Sequence, residues 1–582
     1  PGQPTTTEVT RSFMIATQRC VPPPRSQPDP QRRCDLGLLP NNPATTLPMG
    51  AGGRHIHPPR PHAAALALLC TLLFCFVWPT SVFAQNPEPV VPPVPDAALV
   101  VPMFWYVLAA ALALLVPAGF ILIGAAGLEP QHAWAAALGG LGALGLAAFG
   151  YWATGFALQF GGVGLVYTLP ELKYLVWEWS PLATDWGAGW GVAGLSGWFL
   201  SGPNVTALAY ALFLAHLPAV VTAAVLPTMA LRGRAPTTAP LLLALLMGAV
   251  LYPLTGNWVQ GGGWLSALGR NLSLGHGFVD FGGAGTVHLA AAGFVLAALV
   301  VWAPRRPRYP LTQVELPPVY LPLLTIVGSL LVLAGSLGWM WANPLQVSRL
   351  SDLALLRGSV NLILCMGGGL LVPLGYTWFV TSRSDALMST RGLVAGLVAG
   401  LAAGPFVQPG VAFAIGFLAG ATVPFVTFLL DNVLRLDDAT GVVVTGGAPA
   451  MVGLLLIGLF ADGVAGSGWQ VTGMDTYLGV AGQGVSGLFV AAGYQVDFPG
   501  QLQAQIVGIL TLGLWGFLTG ILFCTPLGLL FHGLQRSENL PQTTVQPVPE
   551  PDGFEFEPLE ESWMPPFRTP ETQERQPQRR SD

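Results

Sequence analysis

The chain has 582 residues, of which 52% are hydrophobic and 9% charged, where an ordinary soluble domain carries about 25% charged residues. Most of it cannot face water, which excludes a soluble globular protein, and a formal net charge of −5 gives no basic footprint for nucleic acid. Repeated apolar runs near the length of about 20 residues that crosses a bilayer point to one helical bundle, an all-α polytopic membrane protein.

Residues 1–48 are rich in Pro, Arg, Gln and Thr and have no apolar period, and are expected to be a disordered or untranslated leader. From Met49, "MGAGGRHIHPPRPH" reads as the basic region of a signal peptide, "AAALALLCTLLFCFVW" as its apolar core and "SVFA" as its cleavage residues, together spanning 49–84. An extracytoplasmic linker, 85–99, follows. Of the six cysteines, Cys20, Cys34, Cys70 and Cys75 fall in the leader segments, and Cys365 and Cys524 lie inside hydrophobic runs, so no disulfide is expected in the mature protein.

Residues 100–533 hold eleven apolar segments, centred near 113, 147, 217, 245, 293, 329, 370, 398, 421, 454 and 518. An odd number puts the two ends on opposite sides. With the start outside, the inner loops carry Arg232, Arg234, Arg305, Arg306, Arg308, Arg383, Arg391, Arg435 and Arg536, and the outer ones only Lys173, Arg270, Arg349 and Arg357. Nine against four accords with the positive-inside rule. The expectation is a multi-pass protein of the cell (inner) membrane with residues 534–582 as a disordered cytoplasmic tail.

Eleven segments divide into five, five and one. "GGAGTVH" opens the fifth and "VTGGAPAMVG" the tenth; a repeat of five helices must be inverted in the membrane, and such repeats meet at a midplane pathway. The ionisable residues deepest in the segments are His216 and His288, and a charge facing lipid is costly enough that such residues face the bundle interior or a wet cavity. A neutral histidine satisfied by a neighbouring carbonyl or hydroxyl is the plainer alternative for each. Around His288, Ala284, Gly285, Ala291 and Ala292 sit at helical spacing and leave room for close packing or for a narrow file of small solutes. Asp280, eight residues earlier, stands where a carboxylate accepts backbone N–H bonds at a helix start.

The stretch "DFGGAGTVH" resembles the signature of the Amt/Mep/Rh ammonium transporter family, D-F-A-G-G-T-V-V-H, with Asp280 and His288 at the matching ends. The resemblance runs in order over residues 100–533. "GYWATGFALQFGG" is similar to the family's second helix, "GWFLSG" to the loop before the third, and "QGGGWL" to the end of the fourth. "GWMWANP" matches the sixth with its G-W-F-x-F-N pattern, "GLVAGLVAGLAAGPFVQP" the eighth, and "DDATGVVVTGGAPAMVGLLLIGLFADG" the approach to the tenth.

The resemblance implies two inverted five-helix repeats plus a C-terminal helix, a homotrimer, and one pore per subunit serving nitrogen uptake. It implies that aromatic faces catch ammonium at an external vestibule and that the cation sheds its proton, because burying a bare charge is costly. Neutral ammonia then passes two pore histidines. His288 matches the first of these, Trp339 and Asn343 match the "GW" and the structural "N" of the sixth helix, and Asp280 orders backbone at the vestibule beside Trp258.

The departures are specific. The second pore histidine falls on Gly446, next to Thr445, and a glycine there is expected to widen the path. The second Phe of the sixth-helix pattern falls on Ala342, and the serine after it near Gln346. The outer tryptophan of the fourth helix falls near Gln260, the remaining gate phenylalanine on Phe213 or Leu214, and the acid ending the third helix on Thr228. His216 is a candidate to replace the missing imidazole. The tail does not resemble the family's regulatory tail, the place where the family would engage a PII-type cytoplasmic regulatory protein. The main expectation is transport of ammonium or ammonia. The alternatives are a non-transporting ammonium sensor or structural membrane subunit, and a channel for another small neutral molecule such as carbon dioxide. No nucleophile–base pair, metal-ligand cluster or phosphate-binding glycine loop occurs in the sequence, so neither an enzyme nor a metal or other cofactor is expected.

Overall fold

The computed structural model describes residues 97–128, 130–182, 186, 189–202, 205–302 and 320–537. The leader, the signal peptide, most of the linker, the loop arginines Arg305, Arg306 and Arg308 and the tail beyond Ser537 lie outside these residues.

Lipid offers no hydrogen-bond partner, so a spanning segment must pair its own backbone groups, and the apolar runs form helices. Among the described residues eleven are long and apolar enough to cross a membrane: α1 (Phe104–Ala126), α2 (Ala135–Leu165), α3 (Ala207–Leu231), α4 (Thr238–Val259), α5 (Ala284–Trp302), α6 (Pro322–Ala342), α7 (Asp352–Thr381), α8 (Ala386–Phe406), α9 (Pro409–Leu434), α10 (Val442–Phe460) and α11 (Gly500–Phe531). Each expected segment falls on one of them. Helical backbone already begins at Ala97, inside the stretch read as linker.

The two halves pack alike. α2 lies against α3 and α4 as α7 lies against α8 and α9, α1 lies along α6, and α11 lies against both α5 and α10. α8, α3 and α5 are the most buried spans, and α7, α9 and α11 the most exposed. The outward side chains of the exposed spans include Leu353, Phe379, Phe425 and Leu529. Two-stranded hairpins, β1 (Glu178–Trp179) with β2 (Ala193–Gly194) and β3 (Thr476–Tyr477) with β4 (Val480–Ala481), stiffen the α2–α3 and α10–α11 loops.

Where α7, α8 and α9 cross, Gly396 and Gly416 both back onto the Cys365 carbonyl, and a Cβ on either would overlap it. Without a hydrophobic force between helices in lipid, such close backbone approach is what holds a seam together. Gly416→Leu is therefore expected to cost about 1–3 kcal/mol by overpacking and to diminish the monodisperse peak in size-exclusion chromatography. Gly367→Leu, on the same seam's α7 but with open space beside it, should leave that peak in place.

Candidate functional site

α5 and α10 both begin inside the protein, each on a carboxylate. Asp280 Oδ2 accepts hydrogen bonds from the Gly285 N–H (3.0 Å), the Thr286 N–H (2.9 Å) and the Thr286 hydroxyl (3.1 Å). Asp438 accepts from the N–H groups of Val442 (3.1 Å), Val443 (2.8 Å) and Val444 (3.0 Å). Burial pushes both carboxyls above the ordinary value and these donors pull them back, with Arg391 adding to the pull on Asp438. In each case the residue three after the aspartate is a glycine in the left-handed region, Gly283 (φ 79°) and Gly441 (φ 74°), which turns the chain into the helix at little steric cost. The two starts are thus in register, and the counterpart of Gly283 is Gly441 rather than the Gly446–Gly447 pair that the bare sequence echo suggests.

That register places His288 and Gly446 at equivalent positions, eight residues after their aspartates. His288 rides a π-helical turn, Ala284–Leu289, a wider turn that recurs at functional positions. Its ring lies 5.6 Å from Phe120 of α1, it is 2% exposed, and its Nε2 has no hydrogen-bond partner among the described residues. Gly446 does not open the path in the expected way. A Cβ there would lie 2.9 Å from the His288 carbonyl oxygen and 3.5 Å from the Ala292 Cβ, so α5 occupies the space a side chain would take. Thr445 turns its hydroxyl back to the Gly441 carbonyl (2.7 Å) of its own helix.

The other expected residues scatter around this centre. Trp339 packs over the start of α5, beside Gly283. Ala342 is buried with Ala109 and Ala215, with Trp341 closing over the group and stacking on Trp105 at 5.6 Å. Asn343 interrupts the backbone after α6 and caps the turn Pro344–Val347 through Leu345 N–H (3.1 Å). Phe213 turns its ring to α2, stacked 5.0 Å from Tyr151, which leaves the half-buried Leu214 as the alternative for the gate position. Trp258 gives its indole N–H to the Val192 carbonyl (2.9 Å) and packs between Trp264 and Trp515, so it is committed to loop and helix rather than free at a mouth. Gln260 Oε1 and Gln346 Nε2 are buried and unpaired among the described residues. Thr228 bonds the Ala224 and Pro240 carbonyls.

His216 is the centre of a buried polar cluster with Tyr151 and Gln159 of α2, Tyr252 of α4 and Asn343. Sequence reasoning missed Gln159, Tyr151 and Tyr252; an uncharged glutamine in an apolar run, "FALQF", is the one signal that marked them. It also missed Glu178, which sits against Gly162 and Gly191 in the α2–α3 loop. Burial pushes the Glu178 carboxyl up to about 7, against the pull of Arg270. Among the described residues no cluster could hold a metal ion.

The sequence profile of the Ammonium Transporter Family matches residues 104–542. The chain belongs to that family. It is 27% identical over 388 residues to "Ammonium transporter Amt2" of Archaeoglobus fulgidus, covering 66% of this chain and 74% of the relative. It is 26% identical to "Ammonium transporter 3" of Dictyostelium discoideum, covering 54% and 69%. Across such curated relatives the chain spans from 52% to 74% of their length. In fold it is similar to the Sensor Amt Protein (TM-score 0.57, 20% identity, 75% of this chain and 94% of that one). It is similar too to Candida albicans Mep2 (TM-score 0.54, 21% identity, 72% and 82%). Membership of a transporter family, not an enzyme family, agrees with the lack of any catalytic constellation in the sequence.

Glu178 gives a pH prediction. Because its pKa is raised on folding, the stability it contributes is full below pH 4.5 and is lost as pH climbs to about 7. Thermal unfolding in detergent should therefore show the wild type losing stability relative to Glu178→Gln across that window, and parallel curves would contradict the assignment.

Proposed function

We propose that the protein carries ammonium or ammonia across the cell membrane through a path in each subunit, with His288 as its single pore imidazole. The observation that carries this reading is the Nε2 of His288, buried on the π turn of α5 with no hydrogen-bond partner among the described residues. An unpaired polar atom in a protein interior costs about 1–3 kcal/mol, and a passing N–H donor or acceptor relieves that cost. A bare ammonium ion is too costly to bury. The cation gives up its proton to water at the outer mouth, to which we assign Asp280, Gln260 and Gln346; ammonia then passes Leu214, Trp339 and Ala342 to reach His288, and the proton crosses separately by way of the His288 ring, so that one positive charge moves with each ammonia.

The same reading takes the chain as a homotrimer with its start outside and its C-terminus cytoplasmic. It takes residues 49–84 as a removed signal peptide, and the tail from 534 as the place where a cytoplasmic regulatory protein would act. Nine arginines on the inner loops and end support the orientation.

The test is uptake of ammonium and methylammonium by cells without their own ammonium transporters. His288→Ala is expected to lower uptake at least about tenfold, the equivalent of about 1.4 kcal/mol, at unchanged protein level. Gly446→His, which the twin-histidine pattern would favour, is expected to fold poorly and not to raise uptake, since the His288 carbonyl lies 2.9 Å from the new Cβ. Unchanged uptake in His288→Ala would remove the histidine from the path.

A further inference from the structure

Five polar side chains meet inside the bundle, every one more than nine-tenths buried: Tyr151, Gln159, His216, Tyr252 and Asn343. The Tyr151 hydroxyl lies 2.9 Å from the Gln159 side-chain amide. His216 Nδ1 lies 3.2 Å from Gln159 Nε2 and 3.4 Å from the Tyr252 hydroxyl, and His216 Nε2 lies 3.2 Å from Asn343 Nδ2. The edge of Phe160 or of the imidazole closes the group, with ring centroids 4.9 Å apart. Both ring nitrogens of His216 are therefore engaged, in contrast to the bare Nε2 of His288.

The direction of these bonds can be worked out. Asn343 Oδ1 accepts the Leu345 N–H, so its amide cannot be turned over without losing the cap of the turn Pro344–Val347. Its NH2 group must face His216, and His216 Nε2 must accept. A neutral imidazole has one N–H and one bare nitrogen, which leaves the proton on Nδ1. The Gln159 amide must then be turned so that its oxygen faces the ring and its nitrogen faces Tyr151, since its NH2 would otherwise meet the Nδ1–H at 3.2 Å, and the proton goes to that oxygen or to the Tyr252 hydroxyl. An imidazolium would set an Nε2–H against the Asn343 NH2, donor against donor. The cluster thus accommodates one neutral tautomer and opposes the charged form. It follows that His216 does not stand in for the missing second pore histidine.

What it does instead follows from its partner. Asn343 is the residue at which helical backbone breaks after Ala342, and Ala342 stands where the family pattern has an aromatic ring. We infer that His216 is a positioning residue: as the Nδ1–H tautomer it holds Asn343 and the break after α6 in place, and this contact fixes the outer constriction that separates ammonium from methylammonium. The selectivity half of the inference rests on the transport reading above; the tautomer half does not.

The experiment has two arms. In lipid nanodiscs, protein labelled with 15N-histidine is compared with His216→Gln to assign the resonance. The expected result is a neutral ring with the proton on Nδ1 and a bare Nε2 throughout the range of about pH 5 to 8, where a free histidine titrates. An Nε2–H tautomer or an imidazolium in that range overturns the proposal. In transport, His216→Gln places an amide where Nε2 stood and His216→Asn places one where Nδ1 stood. The Gln variant is expected to keep the ammonium-to-methylammonium ratio, and the Asn variant to lose about fivefold of it, the worth of one net hydrogen bond. Equal ratios in both variants mean that the histidine only packs, and loss of all transport in a monodisperse Gln variant means that it handles protons; either outcome overturns the proposal. A wild type that moves neither cation removes the transport reading and the selectivity claim with it, while the resonance still decides the tautomer.

Discussion

Two buried carboxylates carry the architecture. In a bilayer interior no water can pair a free N–H, yet α5 and α10 both start within the protein, where the first N–H groups of a helix have no partner on their own backbone. Asp280 supplies partners to two of those N–H groups and to the Thr286 hydroxyl, and Asp438 to three N–H groups; hydrogen bonds to a charged group are worth about 1.5–3 kcal/mol apiece. Gly283 and Gly441 let the chain turn onto them. Because both starts use the same spacing, the positions eight residues on face a common centre, and whatever occupies them decides the chemistry available there.

One of those positions holds an imidazole and the other none. The missing ring leaves no void, because the α5 main chain closes against Gly446. Polarity has moved to His216, Gln159, Tyr252 and Asn343 around α3, and apolar packing around Ala342 takes the place of an aromatic ring. In the proposed path, transport relies on one ring nitrogen, unpaired among the described residues, rather than on a coupled pair.

The sequence was most legible where one interaction dominates over a long window. Eleven apolar runs became the eleven spans found among the described residues because lipid allows a lone strand or loop no alternative, and Asp280 was readable as a cap because capping acts over a few residues. The cluster around His216 was not readable. Its members come from α2, α3, α4 and the end of α6, far apart in the chain, and no local spacing marks side chains that meet only after packing. Gly446 was misleading for a related reason: loss of a side chain suggests space, whereas in a small-residue seam it lets a neighbouring backbone come closer. The internal repeat was visible, but its register was set by the carboxylate caps rather than by the matching glycine pairs.

The most direct test of the central claim, a one-imidazole path for ammonium, is charge movement in liposomes holding the purified protein when ammonium is added outside. The account predicts an inward current that saturates with ammonium and is lost in His288→Ala. A folded wild type that gives no current, or a current that His288→Ala leaves intact, would contradict it.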